Sequence, residues 1–288
     1  MRKIGRLGCI ISVLIALNST SGEFLSEKEK TIFHPRDKEI AEEVFKKFSA
    51  EKNLLTAQLV LKIGLFFKET PYVAHTLESE PEKLVINLRE LDCTTFAESS
   101  LALALTIKKG NPTFEKFCDN LQNIRYYNGE IINYTSRIHY FSDWIFENSK
   151  IGFIADSSEE IGHIPYPLNV NFMSTHPESY RQLKGNSSFV SAIAEKEKQI
   201  SMRKMFYIPE ENLAAVENQL NDGDIIGLTT TIKGMDVSHV GILIKQNGRV
   251  HLLHASSVLK KVVVSEELLE QYLKSSKSVT GIMVARPL

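Results

Sequence analysis

Cysteine is scarce in this chain, with three in 288 residues, at positions 9, 93 and 118, so a disulfide-stapled scaffold is excluded. Long apolar runs are absent too. The longest, Leu7 to Leu17, is about half the roughly 20 residues that a bilayer span requires. There is no excess of positive charge, with 34 bases against 35 acids, and no basic stripe of the kind that nucleic acid demands. Neither an internal repeat nor a low-complexity segment occurs. What remains, at 43% hydrophobic residues, is an ordinary globular composition with material for a sizeable core.

The first residues do carry a signal. Basic Met1-Arg2-Lys3-Ile4-Gly5-Arg6, the apolar run and then Asn18-Ser-Thr-Ser-Gly22 follow the order of a secretory leader. Residues 1–22 are expected to be removed, leaving 23–288 as one exported domain, periplasmic or secreted, monomeric and without stable membrane insertion. A lipoprotein signal would place its cysteine after the apolar run, whereas Cys9 precedes most of it. Processing leaves 31 bases against 35 acids, and Cys93 and Cys118 as the only thiols. A thiol left unpaired in an oxidising compartment asks for a functional explanation. Cys118 lies in a Phe114-x-x-Phe117-Cys118-x-x-Leu121 helical stripe and reads as a core thiol.

Along the chain, the apolar spacing over 36–68 predicts two amphipathic helices. Residues 77–82 read as a solvated loop, and 84–91 as loop or short strand. A helix apolar on most sides is predicted from about Asp92 to Lys109, closed by Gly110-Asn111-Pro112, and belongs in the middle of the core. Residues 125–220 are expected to hold insertions and substrate-facing loops, with a charged helix near 192–198. Beyond Asn221, strands are predicted at 224–228, 237–245, 249–255, 261–264 and 282–285, with one helix near 266–274. Helices first and antiparallel strands second make an α+β architecture, a helical N-terminal half packed on a C-terminal sheet.

Chemistry concentrates at two places. Leu91-Asp92-Cys93-Thr94-Thr95-Phe96 sets a thiol at the start of the core helix, where unpaired backbone N–H groups and the helix dipole favour a thiolate. Thr95-x-x-Glu98 is a competing capping box that would begin the helix two residues later. The second place is the C-terminal hairpin. Asn247-Gly248 is a strong two-residue turn signal, which pairs Gln246 with Arg249 and sets Gly241 opposite His254. His239 and His254 then become diagonal neighbours on one face, roughly 7–8 Å apart between backbones, and His251 points to the other. A base imidazole held by a second imidazole, with a helix-start cysteine, is the composition of a nucleophilic hydrolase.

Asp92-Cys93-Thr94-Thr95-Phe96, Gly223-Asp224-Ile225-Ile226, Ser238-His239-Val240-Gly241-Ile242 and His254-Ala255-Ser256 resemble the successive signatures of the NlpC/P60 papain-like cysteine hydrolases. More narrowly, Leu88 to Phe96 and Arg137-Ile138-His139-Tyr140-Phe141-Ser142-Asp143-Trp144 resemble the DUF1460 branch, and the likeness runs from about residue 35 onward. The resemblance implies a papain-like core, Cys93 as nucleophile, His239 as base and His254 as its orienting partner, with no cofactor and no metal. It also implies cleavage of the amide between N-acetylmuramic acid and L-alanine in peptidoglycan or muropeptides. The commoner superfamily specificity, the γ-D-glutamyl bond further down the stem, is the alternative. Thr94-Thr95 departs from the Ser-Gly usual after the superfamily's cysteine.

Asp92, Arg137, Tyr140, Trp144 and Ser238 are candidate substrate contacts, since the 137–144 segment offers a guanidinium, an imidazole and aromatics suited to a carboxylate or lactyl group and a sugar face. The same segment reads equally as an amphipathic helix whose Tyr140, Phe141 and Trp144 are core. Asn171 to His176 is a second candidate loop. Two other classes stand as rivals: a zinc hydrolase using His239, His254 and Asp236, for which the spacing matches no strong zinc pattern, and a non-catalytic wall-binding module.

Overall fold

The computed structural model describes residues 31–288, so the expected leader at 1–22 lies outside the described residues. A short strand β1 (Thr31–Phe33) runs parallel to β2 (Leu84–Ile86) as a separate pair. Between them lie the two helices expected over 36–68. In α1 (Pro35–Phe48) the His34 ring accepts from the Arg36 N–H while Asp37 accepts from the His34 N–H, and Ala41, Val44, Phe45 and Phe48 form the buried stripe. α2 (Thr56–Phe66) buries Leu59, Val60 and Ile63.

α3 (Cys93–Lys108) is the central helix, and every residue from Thr95 to Ile107 is buried. The competing start is decided by Asp92. Its carboxylate accepts from the Thr95 N–H at 2.7 Å while the Thr95 hydroxyl bonds the Asp92 N–H, so the helix begins at the cysteine. Glu98, freed from capping, lies inside and pairs with Arg125 at 2.8 Å, both side chains about 3% exposed. Arg125 ends α4 (Phe114–Arg125), so this pair ties the central helix to its neighbour. α5 (Phe141–Lys150) packs alongside.

The 77–82 segment is a loop, solvated at Glu80 and Pro81 but anchored at Glu82 and Leu77. Arg137 donates to Glu82 at 2.7 and 3.0 Å and to the Leu77 carbonyl at 3.1 Å, and the Glu82 side chain is nearly fully enclosed. A buried guanidinium requires such partners, and it draws the loop inward to obtain them.

The remaining strands form one antiparallel sheet. They are β3 (Ile154–Asp156), β4 (Ile164–Tyr166), β5 (Met205–Pro209), β6 (Ile225–Thr230), β7 (Val237–Gln246), β8 (Arg249–Ser256), β9 (Lys261–Val264) and β10 (Val279–Pro287). Their order is β4-β5-β10-β6-β7-β8-β9, with β3 also on β10. The five strands expected beyond 221 are present. The 125–220 region differs from its expectation, because β3, β4 and β5 extend the sheet rather than forming only loops. Short helices α6 (Ser158–Gly162), α7 (Phe172–Thr175) and α9 (Leu213–Val216), with the longer α8 (Ser187–Ser201), fill the rest of that stretch, and α10 (Leu269–Ser275) joins β9 to β10.

Alternation gives the sheet two buried faces. Ile225, Ile242, Leu253 and Met283 pack with the helical half, whereas Ile226, Leu243, Leu252 and Val284 pack with Ile161 of α6 and with Leu269 and Leu273 of α10. The mixed architecture is helices against an antiparallel sheet, and α3 packs across β7 and β8.

Candidate active site

Cys93 occupies the first position of α3 and is partly buried. Burial pushes its thiol up, the Asp92 carboxylate adds to this, and the group reaches about 11. Backbone N–H groups of Val240 and Thr94 and the Thr94 hydroxyl pull in the opposite direction. The expected thiolate stabilisation at the helix start is therefore outweighed by desolvation and by the neighbouring carboxylate, and the resting group is a thiol. The Val240 contact locates Sγ against the backbone of β7, one residue beyond His239.

The hairpin has the expected register. Gln246 pairs with Arg249, Ile244 with His251 and Ile242 with Leu253. Asn247 and Gly248 both have positive φ, at 51° and 80°, as a primed turn demands. A Cβ on Gly241 would stand 2.6 Å from Leu252 Cδ1, 3.1 Å from the Leu253 carbonyl oxygen and 3.2 Å from the His254 Cβ, so the missing side chain lets β8 pack closely here. His239 Nε2 and His254 Nδ1 lie 2.7 Å apart, ring planes at 89°. His251 is on the opposite face and donates through Nδ1 to the Ser265 carbonyl. Burial holds His239 down to about 4 and His254, which also feels the His239 charge, down to about 3. Both rings are neutral at pH 7. A proton on His239 Nε2 donated to His254 Nδ1 leaves His239 Nδ1 as an unprotonated nitrogen, able to take a proton.

Two tyrosines that the sequence reading missed complete this corner. The Tyr272 ring meets the edge of His254 with centroids 5.4 Å apart. Burial, with Glu267 and Cys93 nearby, pushes its phenol up, so it stands near the thiol as well. Tyr72, beside Leu91 in an isolated bridge, is likewise raised by burial and by Cys93 and Asp92. Neither lies in a recognisable motif, and only the closing of the sheet brings them here. His239, His254, Ser238 and Tyr272 border an open cleft that runs along β8, β9 and α10.

The other expected contacts divide. Ser238 is exposed at the cleft rim. Asp92 is next to the thiol but serves as helix cap. Arg137 is a correction: it is buried, with donors taken by Glu82, Glu78 and the Leu77 carbonyl, so no fork is free for a substrate carboxylate. Tyr140 is a second correction, as its hydroxyl donates to Glu197 at 2.6 Å and accepts from the Met173 N–H. Trp144 is buried and stacked on Phe141 at 5.4 Å, which excludes stacking of its face on a sugar, while its indole N–H has no partner. In the Asn171 to His176 segment Met173 packs inward and the Ser174 N–H donates to Glu197, whereas Thr175 and His176 are exposed.

The zinc arrangement does not assemble. The Asp236 carboxylate is buried and accepts from the Ser142 and Val237 N–H groups. Two nitrogens on one tetrahedral zinc, at about 2.0–2.1 Å each, would stand about 3.3 Å apart, wider than the 2.7 Å found. Gly223-Asp224, one of the quoted motifs, is structural: Asp224 holds Arg286 at 2.8 and 2.9 Å.

Comparison with known proteins places this geometry among relatives. Residues 62–282 match the model of a family described as AmiA-like, N-acetylmuramoyl-L-alanine amidase-like. An N-acetylmuramoyl-L-alanine amidase from Bacteroides uniformis is 41% identical, with a TM-score of 0.78, over 81% of this chain and 99% of that one. A Bacteroides fragilis protein bearing the provisional name xylanase is 45% identical, with a TM-score of 0.75, over 78% and 99%. A Legionella pneumophila protein of the DUF1460 family, 23% identical over 87% and 95% with a TM-score of 0.66, shares the fold. No curated protein matches the chain.

Proposed function

The chain belongs to the N-acetylmuramoyl-L-alanine amidase-like family, and from that premise we propose that it is a cysteine-dependent amidase of peptidoglycan. It hydrolyses the amide between the lactyl carbonyl of N-acetylmuramic acid and the amino group of L-alanine. The observation that carries this reading is the 2.7 Å His239–His254 bond beside a helix-start thiol that faces the Val240 N–H. We read the core as papain-like, of the NlpC/P60 type, and residues 23–288 as one exported, monomeric catalytic unit. The family's cell-wall chemistry accords with action outside the cytoplasm, and among the described residues no helix is long and apolar enough to cross a membrane.

The resting pair is neutral, so proton transfer accompanies attack. Sγ bonds to the lactyl carbonyl carbon as its proton passes to His239 Nδ1. The carbonyl electron pair moves onto oxygen, which the free N–H groups of the first turn of α3, including that of Cys93, are suited to bind. His254 accepts the His239 Nε2–H and stabilises the imidazolium. Collapse of the intermediate breaks the C–N bond, and the leaving amine takes the proton from His239. Water, deprotonated by the same ring, then hydrolyses the thioester, giving a free lactyl carboxylate and regenerating the thiol. Within this reading Ser238, at the cleft rim next to His239, and Asp92, next to the nucleophile, contact substrate, with Asp92 acting chiefly as the cap.

A xylanase would need two carboxyl groups flanking the cleft, about 5–9.5 Å apart. Next to the nucleophile stands Asp92, committed to Thr95, and the cleft itself is bordered by Glu69, paired with Lys261, and by Glu266 and Glu267.

Mass spectrometry of products from N-acetylmuramoyl-L-alanyl-γ-D-glutamyl-diaminopimelate tests the reading. Free N-acetylmuramic acid and a tripeptide beginning with L-alanine are expected. Sugar-bound L-alanyl-D-glutamate would instead assign the γ-D-glutamyl bond. Binding without any release would favour a wall-binding module.

A further inference from the structure

The His239–His254 pair ends on a ring that no second hydrogen bond holds. His254 accepts the His239 proton at Nδ1, so the neutral His254 ring carries its own proton on Nε2. In such pairs the far nitrogen ordinarily donates to a carboxylate or a backbone carbonyl, which fixes tautomer and orientation together. Among the described residues His254 makes no such bond, and its side chain is hydrogen-bonded to His239 alone. A half-turn of the ring would exchange Nδ1 for a carbon and break the pair, so something other than a hydrogen bond must prevent it.

Tyr272 stands against that ring. The two rings are T-shaped, with centroids 5.4 Å apart and planes at 79°. On α10, Leu269 and Leu273 anchor the helix to the sheet face that carries Leu243 and Leu252, and the three-residue spacing from Leu269 turns Tyr272 toward the same face. The start of α10 is tied to the strand that bears His254, since the Ser265 hydroxyl accepts from the Leu252 N–H and donates to the Glu267 carbonyl. Tyr272 is thereby fixed relative to β8. Its phenol has no hydrogen-bond partner among the described residues, so its placement serves the ring contact rather than a bond of its own. We propose that Tyr272 is the positioning residue of the pair: its ring walls His254 into the orientation in which Nδ1 faces His239, and its π system stands beside the ring that shares the positive charge when His239 takes the thiol proton. The proposal rests on the cysteine-amidase reading for what the pair does, and on the ring geometry for how it is held.

The test compares Tyr272→Phe, which keeps the ring, with Tyr272→Leu and Tyr272→Met, which fill the space without a π system and stand in for one another if either fails to fold. On N-acetylmuramoyl-L-alanyl-γ-D-glutamyl-diaminopimelate the aliphatic variants are expected to lose about 10-fold in kcat, with KM within about threefold of native, and Tyr272→Phe to keep most of kcat. NMR of the imidazole nitrogens, recorded without substrate, is expected to show His254 protonated only at Nε2 in the native and phenylalanine chains, and averaged between its two nitrogens in the aliphatic ones. A residue that merely packs would leave that signature unmoved. Native imidazole signals in a folded aliphatic variant overturn the proposal. So does a Tyr272→Phe chain as impaired as the aliphatic ones, which would assign the effect to the hydroxyl. A raised KM with kcat intact also overturns it, by making Tyr272 a substrate contact. Inactivity of the native chain on this substrate would sink the amidase reading alone, because the NMR comparison decides the proposal without turnover.

Discussion

His239 Nε2 and His254 Nδ1 share a proton across 2.7 Å with their rings perpendicular, so the tautomer of each ring is set by the other. Removing His254 frees His239 to rotate and to place its proton on the wrong nitrogen. His254→Ala is expected to lower kcat by roughly 10²–10⁴-fold, and His254→Asn, which keeps an acceptor, by less. His251→Ala should leave kcat intact and reduce stability by about 1–3 kcal/mol, through loss of the bond to Ser265. The reverse order in steady-state kinetics would overturn the assignment.

The two thiols should behave oppositely. Cys93→Ser is expected to abolish turnover while the melting curve stays near that of the native chain. Cys118, on α4 and partly packed against the core, is pushed up to about 12 by burial and neighbouring acids. Cys118→Ser should cost no more than about 1–2 kcal/mol and leave kcat unchanged. A turning-over Cys93→Ser protein would refute the cysteine mechanism.

Thiol reactivity should reveal the neutral resting pair. With Cys93 pushed up to about 11, alkylation by iodoacetamide in the absence of substrate should be slow at pH 7 and rise about tenfold per pH unit toward pH 10. Asp92→Asn keeps a cap acceptor and removes the adjacent charge, so the whole profile should move to lower pH. A rate already flat from pH 5 would mean that a thiolate–imidazolium pair pre-exists.

Acid should destabilise the fold through its histidines. In the unfolded chain they take up protons near pH 6.5, whereas burial lowers His239 to about 4 and His139 and His254 to about 3. Between those limits the unfolded state binds more protons, so stability rises with pH, and it is lost as pH falls from about 6.5 toward 4. For the enclosed His254 the slope is about 1.4 kcal/mol per pH unit. Urea unfolding at pH 4.5, 5.5, 6.5 and 7.5 measures it, and a flat response would contradict the burial of these rings.

The Glu98–Arg125 pair should be costly to break from one side only. Arg125→Met leaves a buried carboxylate and is expected to cost about 3–5 kcal/mol, while Arg125→Met with Glu98→Gln should recover much of that. Equal losses in single and double variants by chemical denaturation would show that the pair is not coupled.

The hairpin was legible because Asn-Gly dictates a turn, and the turn dictates which side chains share a face; His239, Gly241 and His254 follow from that arithmetic. The central helix was legible from its all-round apolarity. Arg137 and Tyr140 were misread because a charged or hydroxylated side chain looks available in sequence, and only the fold reveals Glu82 and Glu197, 55 and 57 residues away, as their partners. Tyr272 escaped notice for the same reason, since its nearness to the thiol depends on how α10 closes over the sheet. β4 and β5 were missed because three to five residues with a proline give too short a pattern to separate from a loop.

β10 lies in the middle of the sheet, between β5 and β6, although it comes after every other strand in the sequence. Until residues 279–287 are in place, β4 and β5 have no continuous connection to the strands that bear the histidines, and α10 has no second anchor from which to hold Tyr272 against His254. Assembly of the proposed site is therefore tied to completion of the chain: a nascent or C-terminally clipped molecule carries Cys93 and both histidines yet has no finished cleft. Such long-range closure also predisposes the chain to slow folding.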